Sequence, residues 1–150
     1  MLRKTRTAAS LTPGDRRCAI AAILLSGLVR VALWTLPFRW IKRVVESSAS
    51  SRPLAGKFTS RQVSWAVRLA SRYVPRATCL TQAVTAQTLL NWSGLKSSLH
   101  IGVAREPKFA AHAWVEHEGR ILIGGAEESE LYSPILSLEP GSRQAMKQSC

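Results

Sequence analysis

The stretch AHAWVEHEGRILIGG, residues 111–125, decides how the second half of the chain folds. The segments FAAHAWVEH and RILIGG are typical of strands on the two sides of Glu118 and Gly119, and this pair itself is typical of a tight turn. Upstream, Leu99, Ile101 and Val103 alternate with Ser98, His100 and Gly102, which is the period of a strand. The pattern therefore predicts three antiparallel strands. These strands cover about 99–103, 109–117 and 120–125.

The chain before these strands has the period and the end signals of helices. The predicted helices are Asp15 to Leu36 with Asp15 near the N-cap, a segment from Pro37 to about Glu46, Ser60 to Val74, and a helix that starts at Cys79 and stops near Gly94. Helices followed by a short antiparallel sheet favour an α+β fold, with the N-terminal helices packed on the sheet. A Ser/Pro/Gly-rich linker, 47–57, divides a basic helical arm (1–57) from a core (58–150), and we expect the two to form one compact unit.

Charge is unevenly distributed along the 150 residues, which carry a formal net charge of +12. Residues 1–78 hold 15 of the 21 Lys and Arg residues. A basic half indicates an anionic partner, such as a membrane surface, an acidic protein or peptide, or nucleic acid, and the alternative is a well-solvated surface without such a partner. We expect no nucleic-acid partner, because the sequence has no zinc-finger spacing, aromatic RNA-binding box or clear helix-turn-helix. Three cysteines without framework spacing favour a reducing compartment, hence the cytoplasm.

The N-terminal apolar run, Cys18 to Val29, has 12 residues and is interrupted by Arg30. A membrane span needs about 20 apolar residues, and no clean signal-peptidase site follows the run. We therefore predict a buried helix with basic flanks. The alternative, a helix that lies on an inner-membrane surface and makes the protein peripheral to it, stays open for residues 18–36.

Cys79 stands at the predicted start of a helix, with Thr78 as its N-cap. A helix N-terminus carries partial positive charge and free N–H groups, which favour a thiolate over a thiol. The same N–H groups suit the oxyanion of an acyl-transfer intermediate. Cys79 is therefore our candidate nucleophile, and the alternative is a small, buried apolar side chain.

His112 lies 33 residues later, in the middle of a predicted strand, and is our candidate general base and acid. His100 and His117 are its competitors, and we expect His117 to be solvated beside the turn. A metal site needs three or four convergent ligands. Cys79, His100, His112 and Glu116 follow no known ligand spacing, so we expect no metal and no cofactor.

Three motifs together resemble a known family. They are R-x-x-C-L at 76–80, L-x-x-x-G-L at 90–95 and F-x-A-H-A-W-V-E at 109–116. The chain resembles the leader peptidase of lasso peptide biosynthesis, more closely the stand-alone protease half of the split B protein. Those proteins are related to the transglutaminase-like, papain-type cysteine hydrolases, which implies a papain/transglutaminase-like core with the nucleophile at a helix N-terminus.

The resemblance implies a specific activity. The enzyme would cut a ribosomally made precursor peptide between leader and core, with Cys79 as nucleophile and His112 as base and then acid. A separate leader-recognition protein would hold the leader as an added strand. A separate ATP-dependent lasso cyclase would then close the macrolactam. The alternatives are a transglutaminase-like acyl transferase or deamidase, and a non-catalytic scaffold of the biosynthetic complex.

The chain differs from the family at the third residue of the catalytic site. Family members with a full triad carry an aspartate 12 residues after the histidine, and that position here is Gly124. Glu127 and Glu128 are weak candidates, because their position depends on whether the hairpin loop has two or three residues. Gln82 is another weak candidate. We favour a Cys–His dyad or an orienting group without a carboxylate, such as a backbone carbonyl.

Overall fold

The computed structural model describes residues 11–48, 50–51, 53–104, 110–125 and 132–138. In this part of the chain, helices come first and strands follow. The elements are α1 (Pro13–Thr35), α2 (Phe38–Ser48), α3 (Ser60–Tyr73), α4 (Cys79–Trp92), β1 (Ser98–Ala104), β2 (Ala110–His117), β3 (Arg120–Ile123) and β4 (Ser133–Leu138). The strands form one antiparallel sheet in the order β3-β2-β1-β4. The predicted α+β fold is confirmed.

The sequence did not predict β4, which pairs with β1 at one edge of the sheet. Most of its residues are exposed, so β4 lacks the alternation of apolar and polar residues that marks a half-buried strand. It also contains Pro134, and the pairing with β1 shifts register next to this residue, between Ile101 and Gly102. An edge strand tolerates a proline because one side of its backbone needs no partner in the sheet.

Helix α4 is the centre of the core. It contacts the three other helices and strands β1 to β3. Nearly all of its residues are buried, including Leu89 and Leu90. Because neighbours cover it on all sides, α4 has no solvent-exposed polar face, which is the expected pattern for a buried helix. Val67 of α3 and Val115 of β2 belong to the same apolar cluster.

The end of α4 reverses the chain into the sheet. The N–H of Leu95 donates to the carbonyl of Leu90 (2.9 Å), and the N–H of Gly94 donates to that of Asn91 (3.0 Å). This bond pair is a Schellman motif, which needs a left-handed residue, and Gly94 supplies it with φ +79°. Gln87 then fixes the helix to the sheet, since its Nε2 donates to the carbonyls of Ser97 (3.3 Å) and Leu138 (2.7 Å).

Helix α1 starts two residues earlier than predicted, at Pro13. Thr12 is the N-cap, and Asp15, predicted near the cap, is the third helical residue of a capping box. The Asp15 side chain is buried, and its Oδ1 accepts a hydrogen bond from Nε2 of Gln62 on α3 (2.9 Å). Thr59 caps α3 in the same way. The only aspartate of the chain therefore joins α1 to α3.

Helix α1 is buried on one face. Cys18, Ala22, Ser26 and Val29 face the core, and Ser26 Oγ donates to Thr85 of α4 (3.4 Å). The opposite face is exposed, so the predicted burial holds for one side only. By length and composition α1 could cross a membrane, with a mean hydropathy of 1.9 over its most apolar window, which the interrupted apolar run did not predict. The division at residue 57 stays a prediction.

Candidate active site

The β2–β3 hairpin determines where the residues after His112 lie. Its loop has two residues, Glu118 and Gly119, both with positive φ (50° and 73°), as a type I′ turn requires. His117 pairs with Arg120, but the register then shifts, because Val115 pairs with Ile123 rather than with residue 122. This bulge brings Gly124 beside Trp114. The length of the loop, left open by the sequence, is two residues.

Cys79 is the first residue of α4, and its side chain is half-buried. Thr78 is the N-cap, as predicted, and its hydroxyl accepts the N–H of Thr81 (3.3 Å). The carbonyl of Thr78 accepts the first helical bond, from Gln82 (3.1 Å). The N–H groups of Cys79 and Leu80 precede these bonds, and a helix start leaves such groups for other partners. They are the donors available to an anion next to the thiol.

The loop before Cys79 has an unusual backbone. Arg76 has φ +57°, a left-handed conformation that is uncommon for a residue with a side chain. The Nε2 of Gln82 donates back across the helix start to the carbonyl of Ala77 (3.5 Å). The side chain of Gln82 therefore supports the loop that leads into Cys79. In this structure the Gln82 amide is directed at Ala77 and not at His112.

His112 is half-buried on β2, and its Nε2 lies 2.7 Å from the carbonyl oxygen of Gly124. Because a carbonyl only accepts, Nε2 carries the proton in this contact. A neutral imidazole protonated at Nε2 keeps its lone pair on Nδ1, which is then the basic nitrogen. The backbone of Gly124 thus contacts the imidazole at the position where the resemblance implies an aspartate.

Position 124 has no room for a side chain. Gly124 has φ +105°, and a Cβ added there would lie 2.5 Å from Cβ of Trp114 and 3.0 Å from the carbonyl oxygen of Ala113. Contacts this short require the hairpin to move. An aspartate at 124 cannot be introduced while the backbone keeps its path, so a Gly124→Asp variant does not test for a missing carboxylate.

Two aromatic side chains hold the imidazole of His112. Its ring centroid lies 6.3 Å from that of Trp114, nearly parallel to it (19°), and 5.2 Å from that of Tyr132 (33°). Trp114 is buried and covers Gly102, where an added Cβ would lie 2.9 Å from the indole. Tyr132 was not predicted from the sequence, because it precedes β4, the strand that was not predicted, and no motif marks it.

The competing histidines have other partners. His100 Nδ1 lies 2.8 Å from Ser137 Oγ. His117 Nδ1 lies 2.6 Å from the carbonyl of Lys96, and only 10% of its side chain is exposed, so the expectation of a solvated His117 is wrong. Within the described ranges, no three His, Cys, Asp or Glu residues come together as a metal site would require. The weak candidates Glu127 and Glu128 lie outside the described residues.

Topology places Cys79 and His112 toward the same end of the molecule. The side chain of Gln87 on α4 donates to the carbonyl of Leu138 on β4, and Leu138 pairs with Leu99 on β1. Gln87 and Leu99 therefore mark the same height in the helix and in the sheet. Cys79 lies eight residues before Gln87 along the helix, about 12 Å. Gly102, the partner of His112, lies three residues after Leu99, about 10 Å along the strand. Because the chain reverses between α4 and β1, both displacements point in the same direction. A direct Cys79–His112 pair stays a prediction.

A separate cavity of about 470 Å³ lies between the start of α3 and the β2–β3 turn. Its lining includes Arg61, His117 and Arg120, and neither Cys79 nor His112 contributes to it. It is an open, polar surface depression, so the candidate site does not coincide with it.

A scan of family models gives a match to one family, described as the transglutaminase-like superfamily, over residues 23–137. The match covers more than half of the chain. The chain belongs to the transglutaminase-like superfamily. No curated protein and no solved structure matches it at a significant level.

The transglutaminase-like domain includes both candidate residues, Cys79 and His112, strands β1 to β3 and all but the last residue of β4. It begins within α1 and crosses residue 57, where the sequence predicted a boundary between arm and core. Members of the superfamily are typically enzymes of the cysteine protease or acyl transferase type. The coarse prediction of a papain/transglutaminase-like cysteine enzyme is therefore supported, and the finer activity is a separate question.

Proposed function

We propose that this protein is a cysteine peptidase that removes the leader from a ribosomally made lasso precursor peptide, so that the core can be cyclised to a macrolactam. One observation carries the proposal. The imidazole of His112 is hydrogen-bonded through Nε2 to the carbonyl of Gly124, which makes Nδ1 its basic nitrogen, in a domain whose candidate cysteine begins a buried helix. The motifs around both residues support the choice of substrate.

The first half of the reaction forms a thioester. Nδ1 of His112 takes the proton of the Cys79 thiol, and the thiolate attacks the carbonyl carbon at the leader–core junction. The N–H groups of Cys79 and Leu80 stabilise the oxyanion. The intermediate collapses, the C–N bond breaks, and the proton from His112 goes to the departing core amine. The leader is now joined to Cys79 as a thioester.

The second half releases the leader. His112 takes a proton from water, the hydroxide attacks the thioester carbonyl, and the C–S bond breaks. The leader leaves with a free carboxylate, and Cys79 recovers its proton from the imidazolium. The hydrogen bond from Nε2 to Gly124 stabilises the imidazolium in both halves, and the carbonyl does not become charged itself.

The proposed partners follow from the same assignment. They are the precursor leader peptide, a separate leader-recognition protein and an ATP-dependent lasso cyclase that uses the freed core amine. The proposed location is the cytoplasm, where precursor synthesis and ATP are both available. The basic N-terminal half is available to bind an acidic leader or the recognition protein.

The test uses the full chain mixed with precursor peptide and recognition protein, with the released leader detected by mass spectrometry. We expect leader release by the wild type and none by Cys79→Ala or His112→Ala. Cys18→Ala is the matched control, since Cys18 is a buried core residue of α1, and it should retain cleavage. Full cleavage by Cys79→Ala would exclude the mechanism.

The superfamily match favours one further candidate, an acyl transferase or deamidase that uses the same thioester. Such an enzyme would act on a glutamine side chain and release ammonia while the peptide chain stays intact. Measuring ammonia and chain cleavage in one reaction separates the two activities. A Cys79 thiol that reacts no faster than free cysteine near neutral pH, with no product of either kind, would favour a non-catalytic scaffold.

A further inference from the structure

Helix α1 carries a continuous apolar stripe on its exposed face. We call it the α1 stripe, and it consists of Ile20, Leu24, Leu28, Val31 and Trp34. The spacing of four, four, three and three residues keeps these side chains on one side of a helix. Trp34 is 84% exposed, Leu24 69% and Leu28 66%. Soluble surfaces rarely expose so many large apolar side chains in one row, and such rows mark interaction sites.

The exposed apolar surface continues along the chain into α2. Leu36, Trp40 and Val44 are all exposed, while Ile41 and Val45 of the same helix are buried. Tryptophan has an apolar ring and a polar N–H, and it is enriched where a membrane meets water. The two exposed tryptophans, Trp34 and Trp40, lie near the C-terminal end of the stripe. The polar boundary of a membrane would match their N–H groups at this end.

Arginines stand at both ends of the α1 stripe. Arg16 and Arg17 are exposed in the first turn of α1, and Arg39 and Arg43 are exposed on α2. The Arg43 guanidinium lies 5.4 Å from the ring centre of Trp40, over its face. Between residues 11 and 48 the sequence has two acidic residues, the buried Asp15 and Glu46, which is paired with Lys42 (3.8 Å). The surface around the stripe is thus cationic.

The buried face of α1 shows how the helix can meet a bilayer. It packs on α3 and α4, and two polar contacts lie in that interface, Asp15 with Gln62 (2.9 Å) and Ser26 with Thr85 (3.4 Å). A transmembrane position would replace α3 and α4 with lipid and leave these groups without partners. The helix can therefore lie on a membrane while it stays packed on the protein, with only the stripe immersed.

We infer that the α1 stripe docks the protein on an anionic membrane surface, with α1 parallel to the bilayer. The apolar side chains enter the boundary of the acyl chains, and the arginines at both ends reach lipid phosphates. A second copy of the chain fits the stripe poorly, because it would bring the arginines of both copies together. This inference does not depend on the proposed catalytic activity.

The experiment is flotation of the full chain with vesicles of phosphatidylcholine alone and of phosphatidylcholine with about one quarter phosphatidylglycerol. We expect the protein to float with the anionic vesicles and to be released by high salt. The double variant Leu24→Ser, Leu28→Ser should bind at least about tenfold more weakly. Ile135→Ser is the matched control, since Ile135 is 66% exposed on β4, away from α1, and its binding should equal the wild type.

Three outcomes would overturn the inference. One is no flotation with anionic vesicles at low salt. Another is unchanged binding by the double serine variant, with circular dichroism showing that both proteins are folded. The third is a dimer, detected by sedimentation, that the same variant converts to monomer while vesicle binding stays absent, because a second copy would then cover the stripe. A blue shift of tryptophan emission on anionic vesicles that Trp34→Phe reduces would support docking through the stripe.

Discussion

Gly124 meets two requirements at the same position, and the second depends on its lack of a side chain. Its carbonyl orients His112, and its Cα lies against Trp114. The resemblance to the leader peptidases implied a carboxylate at position 124, and a backbone carbonyl was among the predicted alternatives. The sequence could not choose among them, because a main-chain acceptor has no residue type that marks it. The bulge that brings Gly124 into place depends on the pairing of β2 with β3.

Gly124→Ala should destabilise the protein by about 2–4 kcal/mol, because it adds strain at positive φ to a steric clash. It should also lower the cleavage rate at least about tenfold, because the carbonyl that holds His112 moves with the backbone. Chemical unfolding and single-turnover cleavage below the unfolding transition measure the two effects. Gly56→Ala is the control, since Gly56 also has positive φ (71°) but open space around it. A variant at 124 that cleaves at the wild-type rate would exclude this role of the carbonyl.

The thiol of Cys18 should make the free energy of unfolding depend on pH. Burial, with a smaller effect of Asp15, raises the pKa of its thiol to about 11. Below pH 9 the thiol is protonated in the folded and unfolded states and has no effect. As the pH rises from 9 toward 11, the unfolded state loses its proton first, so folding should lose about 2 kcal/mol. Urea unfolding at pH 8 and pH 10.5 measures this loss, and Cys18→Ala should show a smaller one. Parallel pH dependence in both proteins would contradict the assignment.

Among the elements, α4 was predicted most completely. Its cap at Thr78, its start at Cys79 and its stop near Gly94 all agree with the structure, because each signal is local in sequence. Strand β4, in contrast, was not predicted at all. Its pairing with β1 depends on residues 30 or more positions away, and its exposed, proline-containing sequence carries no strand signal of its own.

The N-caps of α3 and α4 form a matched pair for an experiment. Thr59→Ala and Thr78→Ala each remove a hydroxyl that accepts a helix N–H, and each should cost about 1 kcal/mol of stability. Only Thr78→Ala should slow alkylation of Cys79, because only that cap precedes the thiol. Peptide mapping after timed iodoacetamide treatment gives the rate at Cys79 alone. Equal rates in the two variants would show that the cap of α4 does not influence the thiol.

At the scale of the whole molecule, polar contacts in the core join the N-terminal helices to the rest. Asn91 of α4 donates to Ser48 at the end of α2 (3.2 Å), and Asp15 joins α1 to α3. The sequence predicted that α1 would be buried but could not select its buried face, because apolar residues surround the helix. The choice depends on small and polar residues such as Ala22 and Ser26, which allow close approach of α3 and α4.

Asp15→Ala should destabilise the protein by about 1–3 kcal/mol, because it leaves the amide of Gln62 and the N–H of Thr12 without their acceptor. Glu46→Ala is the control, since its ion pair with Lys42 spans one turn of α2 near the surface and should contribute under about 0.5 kcal/mol. Thermal unfolding of both variants beside the wild type gives the comparison. Equal stability of the two variants would show that Asp15 does not hold α1 in place.

The orienting group of His112 also has a consequence for how the protein can vary. A carboxylate can be deleted by one codon change, but a main-chain oxygen is present whatever amino acid occupies the position. Mutation can therefore reach this part of the site only indirectly, by changing the path of the hairpin. Selection for the contact would act on Trp114, on the two-residue loop and on the register shift. The residues that shape the pairing of β2 with β3 would therefore preserve the contact together, rather than one residue alone.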